Sequence, residues 1–308
     1  MQNHNALNEG LSGAISPARK KPTMKDKEAR LGYLLIAPSL ILIAIVILYP
    51  VIYNITLSFQ NVALNPRRSN TFIGFDNYVA LLTDPSLWHS LWVTLIYTTA
   101  TVIGATVLGV AVALLLNQQL KGRRLYRSVV LLPYVAPIIS LVFVWQYMFN
   151  PVYGMVNYTL VQQLGVLGEY VDWLDSPNAA LTLVSVFDIW HLFPFCFMMV
   201  LAKLQSIDQT VYEAAEIDGA GGWNKFRFIT MPEVQFVVGS LMILRFIWNF
   251  YKFDDVYLLT KEVPVVGVYT YELAFTTFDH GLAAAITVTL FILIMVFVLF
   301  AVRKVLKW

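Results

Sequence analysis

The apolar residues of this chain gather in six long blocks, over residues 31–52, 91–116, 128–149, 179–201, 234–250 and 282–302. Each is long enough to cross a bilayer as a helix, which takes roughly 20 residues. Polar connections separate them. Prolines at 38, 50, 133, 137 and 194 lie inside the blocks. In water they would break or kink a helix, but in a bundle neighbouring helices satisfy the freed carbonyls. The pattern predicts an all-α membrane protein with six transmembrane helices, over residues 31–302.

Composition agrees. Of 308 residues, 58% are hydrophobic and 13% charged, about half the charge usual in a globular domain. The core therefore faces lipid. A net charge of +2 argues against a nucleic-acid surface. The one cysteine, Cys196, sits in an apolar run and reads as a small buried hydrophobe. Residues 1–30 read as a polar, disordered tail without the apolar core of a signal peptide, and 303–308 as a short closing tail.

Lysine and arginine orient the spans. The first tail, the 117–127 connection with Lys121, Arg123, Arg124 and Arg127, the connection between the fourth and fifth spans, and the closing tail carry sixteen of them. The opposite side carries Arg67, Arg68, Lys252 and Lys261. The positive-inside rule places both termini in the cytoplasm.

The chain lacks a phosphate-cradling G-x-x-x-x-G-K-[ST] run. Its histidines at 4, 89, 191 and 280 are too scattered in sequence to suggest a metal site. No nucleophile–histidine arrangement stands out. The chain is read as no enzyme by itself, with no cofactor of its own.

The cytoplasmic segment YEAAEIDGAGGWNKFRFITMP, residues 212–232, is polar yet reads as ordered. Ser206 is expected to cap a helix over 207–218, with Gln209 at capping-box spacing. Val211, Ala214, Ala215 and Asp218 fall near one face, kept thin by the alanines. Gly219, Gly221 and Gly222 permit a tight turn. A second short helix over 223–228 follows, anchored by Trp223, Phe226 and Ile229. Pro232 suits the first turn of the fifth span. Docking to a soluble partner and lying against the bilayer both remain open on these grounds.

The spacing of Glu213-Ala214-Ala215, Gly219, Ile229 and Pro232 resembles the signature loop of ABC importer permeases, with Met231 where leucine is usual. Further marks are FIGFDNY at 72–78, KGRRLYR at 121–127, LLPYVAP at 131–137, NPVYGMVN at 150–157 and LQSIDQTVYEAAEIDGA at 204–220. Together they resemble the first permease subunit of carbohydrate importers. The resemblance implies the type I importer fold in a prokaryotic inner membrane. It implies a coupling helix within 204–232, carrying Glu213, Ala214, Ala215, Asp218, Gly219, Trp223 and Phe226, that sits in a cleft of an ATPase subunit. It also implies a second, different permease, two ATPase copies that hold ATP and Mg, and an extracytoplasmic solute-binding protein. One departure is TKEVP at 260–264, where this branch commonly has a glycine-rich segment.

Ionisable groups inside spans are expensive and face a cavity or each other. Asp188 and Arg245 fall roughly 12–14 Å below the outer surface at 1.5 Å per residue. They are expected to pair. His191 shares a face with Asp188, and Asn249 with Arg245. Trp190, Trp248 and Tyr251 add flat surfaces suited to sugar rings, with Trp145 and Gln146 as weaker candidates. A structural salt bridge and a solute path are both open. Two other function classes remain as alternatives. An ion-gradient-driven transporter predicts repeats and interrupted helices with ion-binding groups. A membrane-embedded enzyme would use Asp188 and His191 as acid and base. Neither gives the 212–232 segment a role.

Overall fold

The structure is a computed structural model that describes residues 24–63 and 69–305. The expected tail over 1–23, Arg67 and Arg68, and the final residues 306–308 lie outside the described residues. The chain forms two units, divided after Asn54. In the first, α1 (Met24–Ile43) and a π turn (Ala44–Leu48) lead into α2 (Tyr49–Leu57), whose last residues fall past the division, giving one apolar helix over Glu28–Leu57. The helix therefore begins before the expected boundary at residue 31. Its leucine, isoleucine and valine side chains other than Leu57 are exposed, as a span in lipid tolerates.

After the end of α2 the second unit carries a two-residue ladder, β1 (Gln60–Asn61) against β2 (Thr71–Phe72), the one departure from an all-α chain among the described residues. Then come α3 (Asp76–Thr83), α4 (Pro85–Asn117), α5 (Arg123–Val135), α6 (Ile138–Met148) and the short α7 (Met155–Asn157). They are followed by α8 (Pro177–Gln205), α9 (Gln209–Ile217), α10 (Gly222–Lys225) and α11 (Met231–Phe250). The chain closes with α12 (Asp254–Leu259), α13 (Val266–Phe275) and α14 (His280–Val305). Five helices are long and apolar enough to span a membrane, and six if α5 and α6 count as one crossing.

That third expected span is not straight: α5 and α6 meet at 91°. Ala136 at the break is extended, with φ −68° and ψ 144°. It precedes Pro137, whose ring opposes helical geometry at the residue before it. Pro137 also lacks the N–H that would bond back to α5. Proline chemistry, which a bundle was expected to absorb, here turns the chain.

The centre of the unit is the packing of α4 on α8. Two glycines let the backbones approach. A Cβ on Gly109 would lie 2.6 Å from Cys196 Cβ and 2.9 Å from the Phe197 nitrogen, and one on Gly104 would lie 2.4 Å from Ile189 Cδ1. Cys196 is free and buried there, a small side chain under a glycine. Small residues at such contacts favour helix association in membranes. We expect Gly109→Leu to reduce the yield of membrane-assembled protein at least tenfold, because the clash includes α8 backbone that no rotamer change relieves. Gly104→Ala should be milder, since the Ile189 side chain can move. Quantifying folded protein extracted from membranes checks this, and equal yields for Gly109→Leu and wild type would reject it.

Hydrogen bonds fasten both ends of α4. At one end Asp84 caps α4, accepting from Ser86 N at 2.9 Å, and also accepts from the Tyr269 hydroxyl of α13. The Tyr269 bond holds the Asp84 carboxyl below its usual range. Burial and that carboxylate push the Tyr269 phenol up. Thr94 of α4 accepts from Val266 N at 2.7 Å. At the other end, Arg127 of α5 donates to Leu116 O at 2.8 Å, meeting a carbonyl that the end of α4 leaves free. Gln205, with its amide oxygen toward Arg127, accepts from that guanidinium at 3.0 and 3.1 Å. The ends of α4 and α8 are thus gathered on one arginine.

Candidate functional site

The 204–232 segment begins where α8 stops. Ser206 closes α8, its hydroxyl donating to Lys203 O at 2.8 Å. The expected cap is therefore displaced: Asp208 caps α9, accepting from Thr210 N at 2.9 Å. Ser206 is drawn back because the end of α8 leaves carbonyls free. The Asp208 carboxyl lies below its usual range because of its bonds to Thr210.

Helix α9 ends as the glycine predicts. Gly219 has φ +78°. Ala220 N bonds Ala215 O at 2.8 Å and Gly219 N bonds Glu216 O at 3.0 Å, the paired bonds of a Schellman ending. The expected separate second helix does not form. Residues Gly222–Phe250 run as one helix through a π turn (Phe226–Thr230). In that turn Met231 N bonds Phe226 O, five residues back. Pro232 has no N–H to give to a carbonyl before it, so the wider turn ahead of it lets the helix continue.

Two contacts tie α9 to the helix that continues as the fifth span, and a third joins α8 to α11. Tyr212 and Thr230 hydroxyls lie 2.8 Å apart. Lys203 pairs with Glu233 at 2.7 Å and Lys225 with Glu216 at 3.3 Å. Glu213, Ala214, Asp218 and Gly219 are exposed, and Ala215 and Phe226 are half-buried. Ile217 is 87% and Trp223 68% exposed, unusual for such large apolar groups on a polar segment. Trp223 packs on Phe226 at 5.5 Å. Behind α9 lies a cavity of about 1230 Å³, with Arg123, Arg127, Gln205, Tyr212, Glu213 and Lys225 among its walls.

The second group of candidate residues lies between α4, α8 and α11. The expected Asp188–Arg245 salt bridge does not form. Asp188, fully buried, accepts from the Tyr97 hydroxyl. Its other oxygen lies 3.7 Å from Lys252 Nζ, which is 3.0 Å from Asp255. Lys252 wins because it sits just past the end of α11, with Asp255 three residues on. A long flexible stem then reaches both carboxylates. Asp188, His191 and Asp255 present ligand atoms within 4.8 Å of one another, a gathering that sequence spacing had argued against. Lys252 already supplies positive charge to both of its carboxylates.

Arg245 is only 3% exposed and makes no ion pair among the described residues. Its guanidinium lies 5.9 Å from the Phe195 ring centre. Its Nε and Nη2 lack hydrogen-bond partners, as does His191 Nδ1. Asn249 donates to Thr101 Oγ1 at 2.6 Å and so ties α11 to α4. Trp248 and Tyr251 are exposed, while Trp190 packs on Trp145 at 5.6 Å. Gln146 donates to the carbonyls of Leu258 and Leu259 at 2.8 and 3.1 Å, closing the end of α12. In the TKEVP segment Val263 is buried and Thr260 donates to Leu174 O at 2.5 Å. The loop is therefore anchored in the core, with Lys261 5.6 Å from the Tyr257 ring centre. Sequence reasoning missed Tyr97, which no motif marks, and Asp255, whose i, i+3 spacing from Lys252 was visible.

Comparison with known proteins agrees with this architecture. Residues 105–307 match the family described as binding-protein-dependent transport system inner membrane component. The chain is 48% identical over 272 residues to the inner membrane ABC transporter permease protein YcjO of Escherichia coli (strain K12), covering 88% of this chain and 93% of that protein. It is 36% identical over 281 residues to the trehalose/maltose transport system permease protein MalF of Thermococcus litoralis, covering 89% and 93%. A crystal structure of a bacterial ABC transporter involved in the import of the acidic polysaccharide alginate superposes with a TM-score of 0.77, over 92% of this chain and 97% of that one, at 22% identity. The fold is thus that of an importer permease with five or six long apolar helices. The chain itself is a transport subunit and not a catalyst, and the ATPase resides in a separate chain. It belongs to the binding-protein-dependent transport system inner membrane components, as a multi-pass ABC-importer permease of the carbohydrate-uptake branch.

Proposed function

We propose that the chain forms one half of the path by which a sugar or related polar solute crosses the membrane, and that 204–232 is the surface on which an ATPase subunit seats. The observation that carries the second part is the exposure of Ile217 and Trp223 on a segment whose α9 is tied to the helix of the fifth span by Tyr212–Thr230 and Glu216–Lys225. An exposed apolar group on a rigid mount fits a partner's groove, and the ties would pass a push on α9 to the helix over 222–250, which Lys203–Glu233 in turn joins to α8. Glu213, Ala214, Ala215, Asp218, Gly219, Trp223 and Phe226 form or shape this surface. ATP and Mg belong to the partner, which binds as two copies beneath a pair of different permeases, with a solute-binding protein on the far side. Relatives named for trehalose and maltose transport support the solute class. Ligands drive such a cycle by preferring one conformation over another.

For the solute path the supporting feature is the set of unsatisfied buried donors, Arg245 Nε and Nη2, near His191 and the exposed Trp248 and Tyr251. Desolvated donors without partners are costly to the protein alone, and hydroxyl-rich solutes would satisfy them. Asp188 belongs to the structural network with Lys252 in this reading.

The reading also places both termini in the cytoplasm. Single cysteines in a Cys196→Ser background test it. Positions 125 and 223, both exposed, should react only after the membrane is opened. Position 166, exposed on the opposite connection, should react from outside in sealed right-side-out vesicles. External reaction at 223 would overturn the docking reading, since a cytoplasmic ATPase could not reach it.

A further inference from the structure

We infer that the groove between the end of α4 and the start of α5 holds one chain of an anionic phospholipid, with its headgroup at Lys121. The groove measures about 500 Å³, and Leu115, Leu116, Val129 and Val130 form its apolar wall. Lys121 and Tyr126 also line it. Its place in the fold defines the occupant. Helix α4 is a span that ends at Asn117, so the groove straddles the level at which the chain leaves the bilayer. Its Leu115 and Leu116 belong to the last turns of that span, and Lys121 lies just past its end.

Leu115, Tyr126 and Val129 are each about half exposed, so the protein's own side chains do not fill the space. A water-filled apolar groove beside lipid would be unfavourable, and an acyl chain covers the same surface. Charge then selects the lipid. Lys121 is exposed and makes no ion pair among the described residues. Arg123 and Arg127, two and six residues on, line the separate cavity behind α9. They add to a positive field without competing for the headgroup. Basic pockets between transmembrane helices near the headgroup level recognise anionic lipids. Tyr126 has an apolar ring and a polar tip, a combination enriched at membrane boundaries.

The test uses the assembled transporter equilibrated with vesicles of equal parts phosphatidylglycerol and phosphatidylcholine with matched acyl chains. Retained lipid is then counted by native mass spectrometry. Wild type should retain phosphatidylglycerol over phosphatidylcholine by about fivefold, as one juxtamembrane lysine allows. Lys121→Glu should bring that ratio to about one. Val129→Trp, which fills the groove but leaves Lys121 in place, should lower retention of both lipids. Equal retention of the two lipids by wild type would overturn the inference. So would an unchanged ratio in Lys121→Glu, as expected if another subunit covers the groove. Should Val129→Trp fail to assemble, the Lys121→Glu ratio decides alone.

Discussion

Replacing Gly219 with valine is expected to lower solute uptake by the reconstituted transporter at least tenfold while the subunit still enters the membrane. The turn after α9 holds Gly219 at φ +78°. A residue with a Cβ in that region loses roughly 1–2 kcal/mol, and a β-branched one more. No atom lies within 4 Å of where a Cβ would stand, so the effect is one of backbone conformation alone. The two bonds ending α9, from Ala220 and Gly219, would be lost with the turn, and Ile217 and Trp223 would shift relative to each other. Gly219→Asn is the informative control, because asparagine tolerates the left-handed region. It should keep uptake within about threefold of wild type. The measurement is uptake and solute-stimulated ATPase activity in proteoliposomes. Wild-type values of both in Gly219→Val would remove the coupling role from this turn. Equal loss in Asn and Val would point to a lost contact at the glycine surface in place of a lost conformation.

The second large effect is expected at Lys252. Its ammonium is the cation nearest the buried carboxylates of Asp188 and Asp255. Lys252→Met leaves both acids without it. Stranding a buried charge in this way is worth about 3–5 kcal/mol, enough to empty the membrane of assembled complex. Adding Asp188→Asn should restore much of the yield, since one of the two stranded charges disappears while the Tyr97 contact can persist. Arg245→Gln provides the contrast. Arg245 makes no ion pair among the described residues, so yield should stay near wild type while the solute concentration for half-maximal uptake rises several-fold. A double-mutant cycle read by complex yield isolates the Lys252–Asp188 coupling. Additive losses would reject that pairing. An Arg245→Gln variant with reduced yield and unchanged half-saturation would make Arg245 structural and take it out of the solute path.

These two sites differ in how far they were legible before the fold was known. The turn at Gly219 depends on local chemistry. Glycine after a short helix with a small-residue face has few conformations to choose from, so the ending of α9 could be read from the letters, as could six apolar blocks and a side rich in lysine and arginine. The caps were harder because helix ends compete for the same residues. Ser206 could open α9 or close α8, and only the position of the α8 carbonyls settled that Asp208 does the capping. Whether prolines would turn a span or merely kink it depended on packing. Pro133, Pro137 and Pro194 are alike in sequence, yet Pro194 lies inside continuous α8 while Pro137 marks a 91° turn.

The polar interior was the least legible part, for a geometric reason. Depth follows from counting residues along a span, so Asp188 and Arg245 could be set near one level. Rotation about each helix axis, and the reach of a lysine just beyond a helix end, are decided by contacts between elements distant in sequence. Gly104 and Gly109 bring α4 against α8. That close approach brings the Tyr97 hydroxyl to Asp188 and leaves Lys252, not Arg245, to neutralise it. The sequence by itself determined where the apolar blocks lie, the family and the conformation of the Gly219 turn, because each rests on composition or on neighbours within a few residues. Which charges meet inside the bundle was decided only by the tertiary structure, because partners there are chosen by helix rotation and side-chain reach across spans.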